Sequence, residues 1–188
     1  MSLKEARTYG SIGTILSLLG GLVPRIGSLI IVTGLVMILF AVKEISAAVK
    51  REDIFKNYLV AFILHLGAFL VLIIAVLFGI GVAVLRGMPL RAMDEGFWAV
   101  RHVIGSILVG AFLAWVLFVL GSYYLKKSYE SIAAESGVDV FRTAGSLYFI
   151  GAILTIAFGL GVLVLLVGKI LEVVAYLSLP EKAENGEK

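Results

Sequence analysis

Three side chains inside long apolar stretches are able to do chemistry: His65, Lys169 and Glu172. An unperturbed imidazole titrates at about pH 6.5 and can relay protons. Lys169 and Glu172 stand three residues apart, on one face of a helix and within reach of an ion pair. Each would neutralise the other and lower the cost of burying both. Polar groups inside a membrane are expensive and are functional candidates by default. The plainer reading of each is structural. His65 then hydrogen-bonds a neighbouring helix, and Lys169 and Glu172 reach the headgroups at a helix end. His102, beside Arg101 at the edge of an apolar run, reads as an interfacial residue.

Other routes to chemistry are missing from the sequence. There is no cysteine, so disulfides, thiolate nucleophiles and cysteine-held metals are excluded. The two histidines lack metal-pair spacing. H-E-x-x-H, the P-loop and G-x-S-x-G are absent. The expectation is a protein that is not an enzyme, with no catalytic residue, no metal and no cofactor.

The elements that would position these residues are set by hydropathy. The 188 residues are 61% hydrophobic and 15% charged, with a mean hydropathy of +1.07, whereas soluble domains carry about 45–50% apolar and about 25% charged residues. Thr8 to Val42 holds no charge except Arg25, too long for one crossing of a core roughly 30 Å thick. Pro24, Arg25 and Gly27 supply a turn, giving span one over Thr8 to Val23 and span two over Ile26 to Ser46. Span three runs from Tyr58 to Leu85 and span four from Arg101 to Leu125. A loop from Gly87 to Val100, anchored by Phe97 and Trp98, joins them. A polar, helical linker follows from Ser128 to Val138. Thr143 to Leu179 is again too long for one span, and Gly159-Leu160-Gly161 is the natural hinge.

Of the 16 Lys and Arg, only Arg25, Arg86, Arg91 and Arg101 lie on one side. Lys169 is unassigned, and the other eleven lie opposite. The positive-inside rule then places both termini in the cytoplasm of a multi-pass cell-membrane protein. The net charge of +3 resides between apolar runs, where it suits lipid headgroups rather than nucleic acid. Membrane lipids, and a second copy or another membrane subunit, are the expected partners.

The chain also matches itself at an offset of 86. Glu44, Ala47, Ala48, Asp53, Ile54, Phe55 and Lys56 align with Glu130, Ala133, Ala134, Asp139, Val140, Phe141 and Arg142. Arg7-Thr8-x-Gly10-Ser11 recurs as Arg142-Thr143-x-Gly145-Ser146, and Glu172-x-x-Ala175 repeats part of the first element. Three tandem hairpins follow, about 7–49, 53–127 and 139–179, within one transmembrane domain over 1–180, with a polar tail over 181–188. In this motif Asp would cap the next helix, Phe would lie at headgroup level, and Lys or Arg would snorkel.

The segment YESIAAESGVDVFRTAGSLYFIGAILTIAFGLGVLVLLVGKILEVVAYLSLP, Tyr129 to Pro180, resembles the archaeal membrane proteins grouped as domain-of-unknown-function family 996. The resemblance implies an archaeal multi-pass membrane protein and brings no activity, cofactor or catalytic residue. Small residues at four-residue spacing, Gly13, Ser17 and Gly21 and again Ser106, Gly110 and Ala114, mark seams where helices approach closely. The fold class expected is an all-α integral membrane bundle of six transmembrane helices. The leading function is a structural, interaction or accessory subunit acting through helix packing. The alternative is a small transporter or channel with a polar path past His65, Lys169 and Glu172.

Overall fold

Apolar runs broken by Pro, Gly and short charged corners produce helices, and among the described residues every regular element is helical. The computed structural model describes residues 3–85, 93–156 and 159–181. The elements are α1 (Lys4–Leu19), a 3-10 turn (Gly20–Leu22), α2 (Gly27–Val49), α3 (Glu52–Leu85), α4 (Met93–Ser136), α5 (Val140–Leu154) and α6 (Leu160–Leu177). Four of them, α2, α3, α4 and α6, are long and apolar enough to cross a membrane, and α5 is a shorter apolar helix. The connection 86–92, with Arg86, Pro89 and Arg91, and the tail from 182 onward lie outside the described residues. So do the side chains of Phe97, Trp98 and His102.

The chain divides into two compact units, Met1–Phe62 with Ser122–Lys188, and Ile63–Gly121. In the first, α1 packs on α2, α5 on α6 and α1 on α6. The α1–α2 reversal falls at Pro24: Val23 is extended, as a residue preceding proline prefers, and Arg25 has a φ of 67°. The α5–α6 reversal uses Gly159, whose φ of 88° suits a residue without a Cβ. The Leu3 amide donates to the Glu181 carbonyl at 3.0 Å, which joins α1 to the end of α6.

Two expectations are corrected. Residues 93–100, read as loop, are the first turns of α4, because beyond Pro89 only Gly96 interrupts helix-compatible residues. Residues 128–138, read as a polar helical linker, are helical as far as Ser136 but continue α4 without a break, and Tyr129, Ile132 and Ala133 are buried in the core of the first unit. Their spacing, with Leu125 before them, is a helical stripe hidden among serines and charges.

The segments related by the repeat form two helix-to-helix corners. The left-handed residue recurs 87 positions on, at Lys50 (φ 56°) and Gly137 (φ 72°). The fully buried residues Ile45 and Ile54 likewise correspond to Ile132 and Phe141. The structural register is therefore one residue off the sequence match at 86. The roles expected of the motif change with it. Asp139 occupies the N-cap position of α5 without a side-chain cap bond, because its carboxylate pairs with Arg142 at 3.0 Å. Asp53 lies within the first turn of α3 and pairs with Arg51. Phe141 is core rather than interfacial, at 0% exposure.

In the second unit, residues of α3 and α4 run antiparallel. A Cβ added to Gly110 would collide with that of Ala75, and one on Gly79 with the Ser106 hydroxyl. Ala114 is buried on the same seam.

Candidate functional site

The carboxylate of Glu172, on α6, lies in the core of the first unit at 2% exposure. It is held by donors from three helices. Tyr129 of α4 donates its phenol to Oε1 at 2.6 Å. The Tyr148 phenol of α5 donates to Oε2 in a short hydrogen bond. Lys169, one turn back on α6, places Nζ 2.9 Å from the same oxygen, with 19% of its side chain exposed. Hydrogen bonds to a charged group are stronger than neutral ones, and together these donors offset much of the desolvation of the carboxylate.

Aromatic rings wall the pair. Tyr58 of α3 stacks against Tyr129 at 6.4 Å between centroids. Phe141 meets Tyr129 edge-on at 5.5 Å and Tyr176 at 5.0 Å. Tyr176 is fully buried, and its hydroxyl lies by the Tyr129 phenol without a hydrogen bond of good geometry. Its ring also fixes the neighbouring helix: a Cβ on Gly10 of α1 would overlap it. The arrangement is an ion pair embedded in phenols. It can lock four helices in one register and can hold a proton among oxygen atoms, but it presents one carboxylate. Among the described residues no group of His, Cys, Asp and Glu could hold a metal.

Lys169 and Glu172 are thus brought together. His65 belongs to the second unit, half-buried, with its ring 5.0 Å from that of Phe118 and a hydrogen bond to the Phe118 backbone. Tyr58, Tyr129, Tyr148 and Tyr176 were not singled out in the sequence. The available signal was the position of Tyr129 on the Leu125, Ile132 and Ala133 stripe and of Tyr176 one turn beyond Glu172.

The motif residues hold the corners. Arg51 grips Asp53 with two bonds, at 2.8 and 2.9 Å, and reaches Glu135 at 2.7 Å, tying the start of α3 to the end of α4. Asp53 first, and Glu135 after it, hold the guanidinium even more firmly protonated. The Ser128 hydroxyl adds a bond to the Ile54 carbonyl at 2.8 Å. Lys56 pairs with Glu52 and Lys126 with Glu130. Glu44 is exposed, and Phe55 is half-buried against the core.

Of the seam residues in α1, Gly13 and Ser17 meet Gly34 of α2: a Cβ on Gly34 would lie 2.5 Å from the Gly13 carbonyl and 2.7 Å from the Ser17 amide. Gly21 lies in the 3-10 turn with open space around it, and Gly20 supplies the close approach to Gly27.

A family profile described as "Protein of unknown function (DUF996)" matches residues 30–170. The uncharacterized protein MJ1644 of Methanocaldococcus jannaschii is 42% identical over 187 residues, covering 98% of each chain. No solved structure matches.

Proposed function

From the premise that this chain belongs to the DUF996 family of proteins of unknown function, we propose that it is a non-enzymatic, multi-pass structural or accessory subunit acting through helix packing. In this reading the six helices span the membrane as three tandem hairpins with both termini cytoplasmic. The carrying observation is that the polar groups best suited to chemistry are engaged within the chain, Glu172 by three donors and His65 by Phe118. What the second unit leaves exposed is apolar helix surface, including Phe69, Ile74, Phe78, Leu108 and Phe112. Surfaces of that kind meet lipid or the helices of a partner.

The test is gentle co-purification of the tagged chain from its native membranes, with cross-linking and mass spectrometry. A stoichiometric partner or a homo-oligomer, cross-linked through residues 63–121, is the expected result. Recovery of the chain alone, together with solute flux in proteoliposomes that Glu172→Gln abolishes, would replace this reading with the transport one. The Tyr176 hydroxyl, buried beside the ion pair without a well-formed hydrogen bond, is the observation that favours a polar path.

A further inference from the structure

The corners α2–α3 and α4–α5 share a backbone plan but differ in charge. At the α4–α5 corner every cation named by the structure has a partner. Lys126 pairs with Glu130 at 3.6 Å and Arg142 with Asp139 at 3.0 Å, and Lys127 lies 4.8 Å above the ring of Tyr123. At the α2–α3 corner Arg51 is taken by Asp53 and Glu135, and Lys56 by Glu52 at 3.2 Å, both partners being largely exposed. Lys43 and Lys50 remain. Both are exposed, and among the described residues neither has a carboxylate partner.

These two lysines line one recess of about 450 Å³ with Ser46, Ala47, Glu52, Phe55 and Lys56. Three ammonium groups therefore face one carboxylate, and that carboxylate already has its lysine. The recess is firmly built: the Ser46 hydroxyl donates to the Arg51 carbonyl at 2.8 Å, and the Arg51 amide donates to the Ser46 carbonyl at 3.0 Å. Lys50 has a left-handed backbone in which glycine or asparagine would sit without strain, so the corner fixes the direction in which its side chain leaves the backbone.

The geometry points to an anion site here, for a phosphate group. Lysines at a helix end draw in phosphates as point charges, and an aromatic ring beside them suits the headgroup zone. The phosphate of an anionic lipid and that of a soluble phosphate compound share this chemistry. The site does not depend on whether the chain is an accessory subunit or a transporter.

The test uses the full chain in nanodiscs of phosphatidylcholine, with or without phosphatidylglycerol as the minor lipid. The wild type is compared with Lys43→Gln/Lys50→Asn, whose asparagine tolerates the left-handed backbone, and with Lys126→Gln/Lys127→Gln at the other corner. Native mass spectrometry counts retained phosphatidylglycerol, and thermal unfolding in phosphatidylcholine discs is followed with added pyrophosphate. Retention by the wild type, about 30-fold weaker in Lys43→Gln/Lys50→Asn and unchanged in the other variant, supports a lipid phosphate. A rise in Tm with pyrophosphate that only Lys43→Gln/Lys50→Asn loses supports a soluble one. Equal behaviour of wild type and Lys43→Gln/Lys50→Asn in both arms, or an equal loss from the α4–α5 corner, overturns the site.

Discussion

The first unit buries polar atoms together with its apolar core: Ser11, Thr14, Ser46, Ser122, Ser128 and Glu172 are all buried. In the second, the buried residues among those described are Ala68, Gly79, Gly110, Ala114 and Gly121, small side chains without a polar atom. The apolar stretches of α2 and α6 are 28% buried within the chain and those of α3 and α4 only 11%. Hydrogen bonds have direction, so a carboxylate shared by α4, α5 and α6 selects one register. A seam of small residues selects a close distance and tolerates sliding along it. The first unit has such seams too, at Gly10, Gly13 and Gly34, but among the described residues it alone adds a buried polar cluster. It should therefore fail when polar atoms are deleted as well as when atoms are added, and the second chiefly when atoms are added.

The largest expected effect is that of Glu172→Ala. Removing one partner leaves Lys169 as an uncompensated ammonium at 19% exposure and strips two phenols of their acceptor. A loss of about 3–5 kcal/mol is expected for breaking a buried pair from one side. Lys169→Leu/Glu172→Leu together should recover the part that comes from the unpaired ammonium, since apolar replacement of both partners of an ion pair is often near neutral, while the part that comes from the two stripped phenols persists. Unfolding of the full chain in detergent, followed by tyrosine absorbance, measures both. A cost under about 1 kcal/mol for Glu172→Ala, the range of exposed ion pairs, would mean that Glu172 is as well hydrated as a surface carboxylate and would dissolve the contrast.

The counterpart in the second unit is Gly110→Val, whose added atoms must displace Ala75. Overpacking of this kind costs about 1–3 kcal/mol, and Ala75→Gly should restore part of it. Gly105→Val, with nothing within 4 Å of its Cβ, should stay within about 0.5 kcal/mol once β-branching is allowed for. Both tryptophans, Trp98 and Trp115, lie within residues 63–121, so their fluorescence reports this unit alone. Equal costs at the two glycines would show that the seam is not close-packed.

The contrast also explains which parts of the molecule were legible in the sequence. Hydropathy and breakers place the helices, because a proline restricts the residue before it and a glycine frees its own φ; Pro24 and Gly159 mark the reversals where they stand. Lys169 and Glu172 are legible as a pair from spacing alone. The tyrosines that complete the site are not, since Tyr58, Tyr129 and Tyr148 come from three other helices and only tertiary packing brings them to one carboxylate. The stripe through Tyr129 is masked by Lys126, Lys127 and Glu130, which flank it on the same turns, and by Ser128, a polar residue that is itself buried against the Ile54 carbonyl. The repeat misleads by one residue for a related reason: identities at 86 record the charged corner chemistry, whereas burial and the left-handed residue follow the helix faces at 87.

Two phenylalanine substitutions sharpen the comparison within the first unit itself. Tyr148→Phe removes one donor to Glu172 and leaves a ring of nearly the same shape, so its cost isolates the hydrogen bond, about 1–2 kcal/mol. Tyr176→Phe removes a hydroxyl that is buried without a well-formed hydrogen bond, and it should be neutral or stabilising by up to about 1 kcal/mol. The difference in sign is the point, because both residues are tyrosines of one aromatic cluster and differ chiefly in whether the oxygen makes a well-formed hydrogen bond. Equal losses from both changes, measured by the same tyrosine-detected unfolding, would mean that the Tyr176 hydroxyl has a partner such as a buried water. The polar core of the first unit would then extend past the ion pair towards Gly10 of α1, and transport would gain the wet path that the packed ring now denies it.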